Sequence, residues 1–179
     1  MADFNLSISQ VAQRLDQAAI PWGIFGSAAA VTYGLQRKPN DIDILIPVGM
    51  GAQAAAIFPE AQVECATWGA VNCLVLPGIE IIAGLSLYCH FELDPEMLAR
   101  IRTVTMNGAH VKVISLEDNL ALKAMLGRGA ELGKRDWEDV AQMLQHVDRV
   151  DWEYLRWRLA RCEPQRQADL YHRILALRP

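Results

Sequence analysis

The spacing of apolar and polar positions changes along the chain, and each change marks an element. Ile8, Val11, Leu15 and Ala18 recur at helical spacing, and Ser7-Ile8-Ser9-Gln10 has the form of a capping box, so a helix is expected from there until Pro21 stops it. Trp22 to Phe25 then reads as a short strand, Gly26-Ser27 as a sharp turn, and Ala28 to Tyr33 as a short helix closed by Gly34. Asp41 to Ile46 is a second strand, stopped by Pro47 and Gly49, and Ala52 to Phe58 is another small helix. From Val63 to Gly84 apolar runs alternate with turn signals at Trp68-Gly69 and Pro77-Gly78, which predicts three successive strands joined by tight hairpins. Asp94-Pro95 opens a short helix, and Asn107-Gly108 joins Arg102–Met106 to His110–Ile114 as a further hairpin.

After Ile114 the period is helical throughout. Ser115-Leu116-Glu117-Asp118 supplies an N-cap and early acids, one helix runs to Gly127, and a second starts near Lys134 and ends at His146 with Trp137, Val140, Ala141 and Leu144 inward. A last pair of helices is split at Pro164. The expected organisation is an α/β (α+β) core over residues 1–114, a small mixed sheet with flanking helices, followed by a helical region over 115–179 packed on it.

Composition narrows the class. With 179 residues, 52% hydrophobic and 21% charged, mean hydropathy of +0.10 and a net charge of −4, the chain suits a folded, soluble protein with one real core. The mild acidity argues against a general nucleic-acid binder. That acidity is uneven: residues 1–148 carry 10 basic and 17 acidic side chains, whereas 149–179 carry 7 and 4, the seven all arginine. A solvated face in ion pairs and a substrate-facing surface both fit such a tail. The start, Met1-Ala2-Asp3-Phe4-Asn5, lacks the basic and apolar regions of a secretory leader, and no run approaches 18 apolar residues, so a cytoplasmic location without a membrane partner is expected. Cys65, Cys73, Cys89 and Cys162 are far apart and expected to be reduced, buried thiols, and His90, His110, His146 and His172 form no metal or catalytic spacing.

The chemistry concentrates upstream. In Asp41-Ile42-Asp43-Ile44 the acids are two apart, which puts both carboxylates on one face of a strand. Two adjacent anions on so apolar a strand repel, and burial penalises both, so the pair points to a bound cation; carboxylate oxygen suits hard ions such as Mg²⁺. Otherwise the acids sit at the exposed strand end and cap the preceding turn. Phe25-Gly26-Ser27 follows a strand and opens a helix, where glycine allows close backbone approach and the serine and first N–H groups face an anion. Arg37 and Lys38 either add charge to that end or lie in a solvated loop.

Phe25-Gly26-Ser27, thirteen intervening residues and Asp41-Ile42-Asp43-Ile44 together resemble the signature of the DNA polymerase β-like nucleotidyltransferase superfamily, in particular small bacterial members such as antibiotic nucleotidyltransferases and abortive-infection toxins. The resemblance extends to Ser115–Asp118, Lys123 and Lys134–Asp139. It implies a nucleotidyltransferase fold and transfer of a nucleoside monophosphate from an NTP to a hydroxyl acceptor, with two Mg²⁺ ions on Asp41, Asp43 and a third carboxylate. Glu80, in Ile79-Glu80-Ile81-Ile82, matches the order of that template better than its rival Glu64, although glutamate stands where the superfamily more often has aspartate. Gly26, Ser27, Arg37 and Lys123 are the implied nucleotide-binding residues; for Lys123, pairing with a core carboxylate is the alternative. Arg128 and Lys134 flank a glycine-rich loop that is either a flap or a connector. Trp152, Tyr154 and Trp157 either line an acceptor pocket or belong to the core. A small-molecule acceptor is the leading expectation. A toxin-type enzyme acting on tRNA or protein, with an antitoxin or homodimer partner, and a catalytically idle NTP-binding module are the alternatives.

Overall fold

The computed structural model describes residues 6–65, 71–85, 91–106 and 108–179. Helix α1 (Ile8–Gln17) opens on the expected capping box, with Ser7 Oγ accepting from the Gln10 N–H while the Ser7 N–H donates to Gln10 Oε1. It ends before Pro21, at a turn where Ala19 takes a φ of +52°. Next come β1 (Gly23–Phe25), α2 (Gly26–Val31), β2 (Ile42–Leu45), α3 (Gly51–Ile57), β3 (Gln62–Cys65), β4 (Val71–Leu76) and β5 (Ile79–Ile82). Helix α2 thus begins at Gly26, two residues before the expected start, so the glycine is at once the strand end and the first helical residue. After α4 (Pro95–Arg100), N-capped by the Asp94 side chain, β6 (Arg102–Met106) and β7 (Ala109–Val113) form a hairpin. The helical half comprises α5 (Leu116–Leu126), a 3₁₀ turn over Ala130–Leu132, α6 (Asp136–His146), α7 (Trp152–Cys162) and α8 (Gln167–Leu175). The Trp68-Gly69 turn signal and Asn107 lie outside the described residues; the strands they were expected to join are antiparallel neighbours.

Among the described residues, all seven strands share one mixed sheet in the order β3-β4-β5-β2-β1-β7-β6. Strand β1 sits inside it, antiparallel to β2 and parallel to β7, and β2 runs parallel to β5. Gly23, Ile24 and Phe25 of β1 are all buried, so both faces of the sheet are covered there and the strand has no polar alternation.

One hydrophobic cluster joins the two halves of the chain. Val11 and Leu15 of α1, Ile24, Ile44 and Val113 of the sheet, Leu120 and Leu122 of α5, Val140 of α6 and Leu155 of α7 are all within it and fully buried. Helix α5 is its axis. Leu116 to Met125 are buried on every face, so α5 shows no amphipathic stripe and its polar side chains Asp118, Asn119 and Lys123 are interior. On α6 the buried residues include Met143 rather than the expected Ala141.

Arg158 fastens α7 to α4 and α5. Its guanidinium is 1% exposed and donates to Asp94 through Nη1 (2.6 Å) and Nη2 (3.0 Å), and to the Tyr154 hydroxyl (2.7 Å). Arg158 Nε lies 2.8 Å from Asp118 Oδ1 but off the N–H axis, an ionic contact and not a hydrogen bond. Tyr154 in turn donates to Asp118 Oδ1 at 2.8 Å. The arginine-rich tail is therefore not uniformly a solvated face. Among the described residues, no helix is long and apolar enough to cross a membrane.

Candidate active site

Strand register gathers the carboxylates. Phe25 on β1 is opposite Asp43 on β2, and Asp43 is opposite Glu80 on β5. Register partners in a parallel pair project to the same face, so Asp43 and Glu80 emerge side by side. Asp41 precedes β2 by one residue, near enough for its charge to act on Asp43. Glu64 lies on β3, opposite Cys73 of β4, with β4 and β5 between it and β2. Asp41, Asp43 and Glu80 are all partly exposed, at the sheet end where α2 begins.

Gly26 is what lets the turn approach this acid. Its φ is +68°, and a Cβ built on it would lie 2.7 Å from Asp43 Oδ2, so any other residue would strain the backbone and strike the carboxylate. The site carries excess negative charge as it stands. The Asp43 carboxyl is pushed up to about 6, first by burial and then by repulsion from Asp41 and Glu80, which Lys134 and Lys123 only partly offset.

Those oxygens are the donors a hard divalent ion prefers, and the repulsion raising Asp43 is what such an ion relieves. The chemistry therefore fits the ion, while the geometry leaves it to be completed: among the described residues, no three His, Cys, Asp or Glu side chains are already gathered as ligands.

Beside the acids lies a chain of cations. Ser27 Oγ accepts from Arg37 Nη2 at 2.8 Å and from Lys123 Nζ at 3.0 Å. Arg37 also binds Asp139 through Nε (2.9 Å) and Nη2 (2.6 Å), so it is an ordered element and not a solvated loop side chain. Lys123, only 2% exposed, contacts Asp139 Oδ2 (2.7 Å) and Asp136 Oδ1 (3.0 Å). Lys123 therefore pairs with core carboxylates, one of its two expected roles, and in addition touches the Gly-Ser turn. Asp136 further accepts from Arg128, through the backbone N–H (3.0 Å) and Nε (2.8 Å). Burial works to raise the Asp136 carboxyl, but Arg128 and Lys123 outweigh it and hold the group below its ordinary range.

The structure brings Gly26, Ser27, Arg37, Lys123, Asp41, Asp43 and Glu80 to one end of the sheet. It adds three residues that sequence reasoning gave no role: Asp136 and Asp139, which hold the cations, and Asn119, whose side chain bonds both backbone groups of Gly26. A signal existed for each. Asp136 and Asp139 are three apart at the start of a helix, on one face, and Asn119 and Lys123 are four apart within an otherwise apolar helix.

The aromatic residues do not join this site. Tyr154 and Trp157 are stacked with centroids 5.6 Å apart and line a cavity of about 420 Å³ with Glu96, Arg100, Asp151 and Glu153, while Trp152 packs at the edge of the core.

Residues 86–174 match the family described as "Nucleotidyl transferase of unknown function". That segment starts after Glu80, so the match rests on α4 to α8 and the β6-β7 hairpin and not on the three acids. No curated protein matches the chain. Several solved structures share its fold. A nucleotidyltransferase-like antigenic protein from Paracoccidioides brasiliensis is 23% identical, with 94% of this chain and 90% of that one covered and a TM-score of 0.50. A Thermotoga maritima protein assigned to the nucleotidyltransferases is 22% identical, over 69% of this chain and 84% of that one, with a TM-score of 0.50. The antibiotic-resistance factor ANT(2″)-Ia, solved with adenylyl-2″-tobramycin, is 14% identical over 93% of both chains, with a TM-score of 0.51. Fold and family match agree: residues 86–174 match the sequence of a nucleotidyltransferase family, and the chain has the fold of the solved nucleotidyltransferases.

Proposed function

We propose that the chain transfers a nucleoside monophosphate from an NTP to a hydroxyl of a small-molecule acceptor and releases pyrophosphate. The observation that carries this reading is the register pair Asp43 and Glu80 set against the Gly26-Ser27 turn, with Arg37 and Lys123 both directed at the Ser27 hydroxyl. The acceptor class draws on the adenylyl-tobramycin bound to ANT(2″)-Ia.

In this mechanism the phosphate tail lies at Ser27, whose hydroxyl hydrogen is available to it because the oxygen already accepts from two cations. Arg37 and Lys123 offset the charge of the tail, and Asp139, holding both, keeps them aimed at it. Asp41, Asp43 and Glu80 would hold two Mg²⁺ ions, which when bound neutralise phosphate charge and lower the pKa of a nearby hydroxyl. Glu80 takes the acceptor hydroxyl's proton, the freed oxygen bonds to the α phosphorus, and the bond from that phosphorus to the bridging oxygen breaks as pyrophosphate departs. Gly26 keeps the turn close enough to Asp43 for tail and acids to act on one triphosphate.

Calorimetric titration with each NTP in the presence of Mg²⁺, followed by a pyrophosphate-release assay over a panel of hydroxyl-bearing acceptors, tests the reading. Binding of one NTP with acceptor-dependent release is expected. Absence of binding for every NTP rejects it, and binding without release under any acceptor favours an idle nucleotide-binding module.

A further inference from the structure

We infer that Asn119 is a positioning residue: its buried amide sets the conformation of the Gly26-Ser27 turn and so the place where the nucleotide's phosphates are held. The inference rests on the proposed role of Ser27. Asn119 is fully buried, and its amide bonds one residue twice, Oδ1 accepting from the Gly26 N–H at 2.9 Å and Nδ2 donating to the Gly26 carbonyl at 3.1 Å. The partners are 93 residues apart in sequence, one on the helical half and one at the end of a sheet strand. As the first residue of α2, Gly26 has no intrahelical acceptor for its N–H, so Asn119 supplies what the helix cannot.

A side-chain amide is suited to this task because it presents one acceptor and one donor in a fixed plane, as a backbone neighbour would. Two bonds to one glycine restrain the residue whose freedom is greatest, and Gly26 is held at a φ of +68° where the Asp43 carboxylate leaves no room for a Cβ. The next turn of α5 continues the contact. Lys123, four residues on and on the same face, reaches Ser27 Oγ, so one helix face addresses two consecutive residues of the turn. The Asn119 amide also donates to Met143 Sδ at 3.6 Å, on α6, the helix that carries Asp136 and Asp139. A displacement of the Asn119 bonds would therefore move Ser27 relative to all the groups proposed to share the phosphate tail.

The test separates positioning from mere stability. Asn119→Leu keeps the branched shape and loses both bonds; Asn119→Asp keeps the acceptor and loses the donor; Met143→Leu disturbs the packing around the amide while leaving its bonds to Gly26. Each variant is compared with wild type by thermal unfolding, by the ¹H–¹⁵N resonances of Gly26 and Ser27, and by the Kd for the NTP with Mg²⁺. Asn119→Leu is expected to move both resonances and weaken NTP binding by at least tenfold, with Asn119→Asp intermediate. Met143→Leu is expected to lower the Tm without changing Kd. Should Asn119→Leu not fold, Asn119→Asp and Met143→Leu still decide. Wild-type Kd in an Asn119 variant whose Gly26 resonance has moved overturns the inference, as does a Gly26 resonance that fails to move. A wild-type chain that binds no NTP rejects the proposed function and with it the phosphate-positioning role, while the Gly26 resonance still reports whether the clamp exists.

Discussion

Asp43 and Glu80 are register partners on the parallel strands β2 and β5, and their carboxylates leave the sheet on one face with Asp41 beside them. Nothing among the acids themselves offsets that concentration of charge, and Asp43 answers by holding its proton up to about pH 6 in place of the ordinary 3.8.

This has a thermodynamic sign. Between pH 4 and 6, roughly, the unfolded chain releases the Asp43 proton while the folded chain keeps it, so folding stability falls as pH rises through that window. A difference of about two pKa units corresponds to at most about 3 kcal/mol. Asp43→Asn is therefore expected to unfold at higher urea than wild type at pH 7.5 in EDTA, with the advantage vanishing near pH 4, and to lose nucleotide transfer by at least about 10²-fold. Urea titrations at both pH values, paired with pyrophosphate release, check this; equal stability of the two proteins at pH 7.5 would contradict the account of the charge.

Added Mg²⁺ should act on the same group in the opposite direction. An ion that binds only the folded state stabilises it by mass action, by about 2.7 kcal/mol at a hundred times its Kd. Wild type is expected to show a Tm that climbs with Mg²⁺ at fixed ionic strength, and Asp43→Asn a much flatter response. A slope common to both would remove Asp43 from the ligand set.

Glu80 and Glu64 differ in register and so in consequence. Glu80→Gln is expected to lower turnover by roughly 10²–10⁴-fold, the range for a lost general base, with NTP binding changed far less. Glu64→Gln, with two strands between its own and β2, should stay within about twofold of wild type, an exposed substitution away from special features. Loss of turnover in Glu64→Gln alone would reverse the assignment.

Local patterning made much of this fold legible. The capping box at Ser7, the acid pair spaced by two, the hairpin at Pro77-Gly78 and the N-caps at Asp94 and Ser115 are short-range signals, and each shapes a short-range feature. Helix α5 yielded least to pattern reading: burial on every face leaves no polar stripe, so period alone does not say which neighbours its Asn119, Lys123 and Asp118 meet. The same holds for Arg158, which looks in sequence like one arginine among seven. Its burial depends on Asp94 and Asp118, which lie on separate helical elements and meet only after the chain has folded.

Lys123 supplies the last expectation. Its ammonium is almost wholly enclosed and shared between Asp136 and Asp139, whereas Arg37, on the same Asp139, is about one-third exposed. Removing the enclosed partner leaves buried carboxylates uncompensated, a loss of about 3–5 kcal/mol for a broken interior pair. Removing the partly exposed one leaves Asp139 still paired with Lys123, so the loss is expected to be smaller. Lys123→Met should therefore unfold at markedly lower urea, while Arg37→Gln keeps nearly wild-type stability and loses affinity for the NTP. If Lys123→Met and Arg37→Gln prove equally stable at neutral pH, the burial of Lys123 is not what holds α5 to α6.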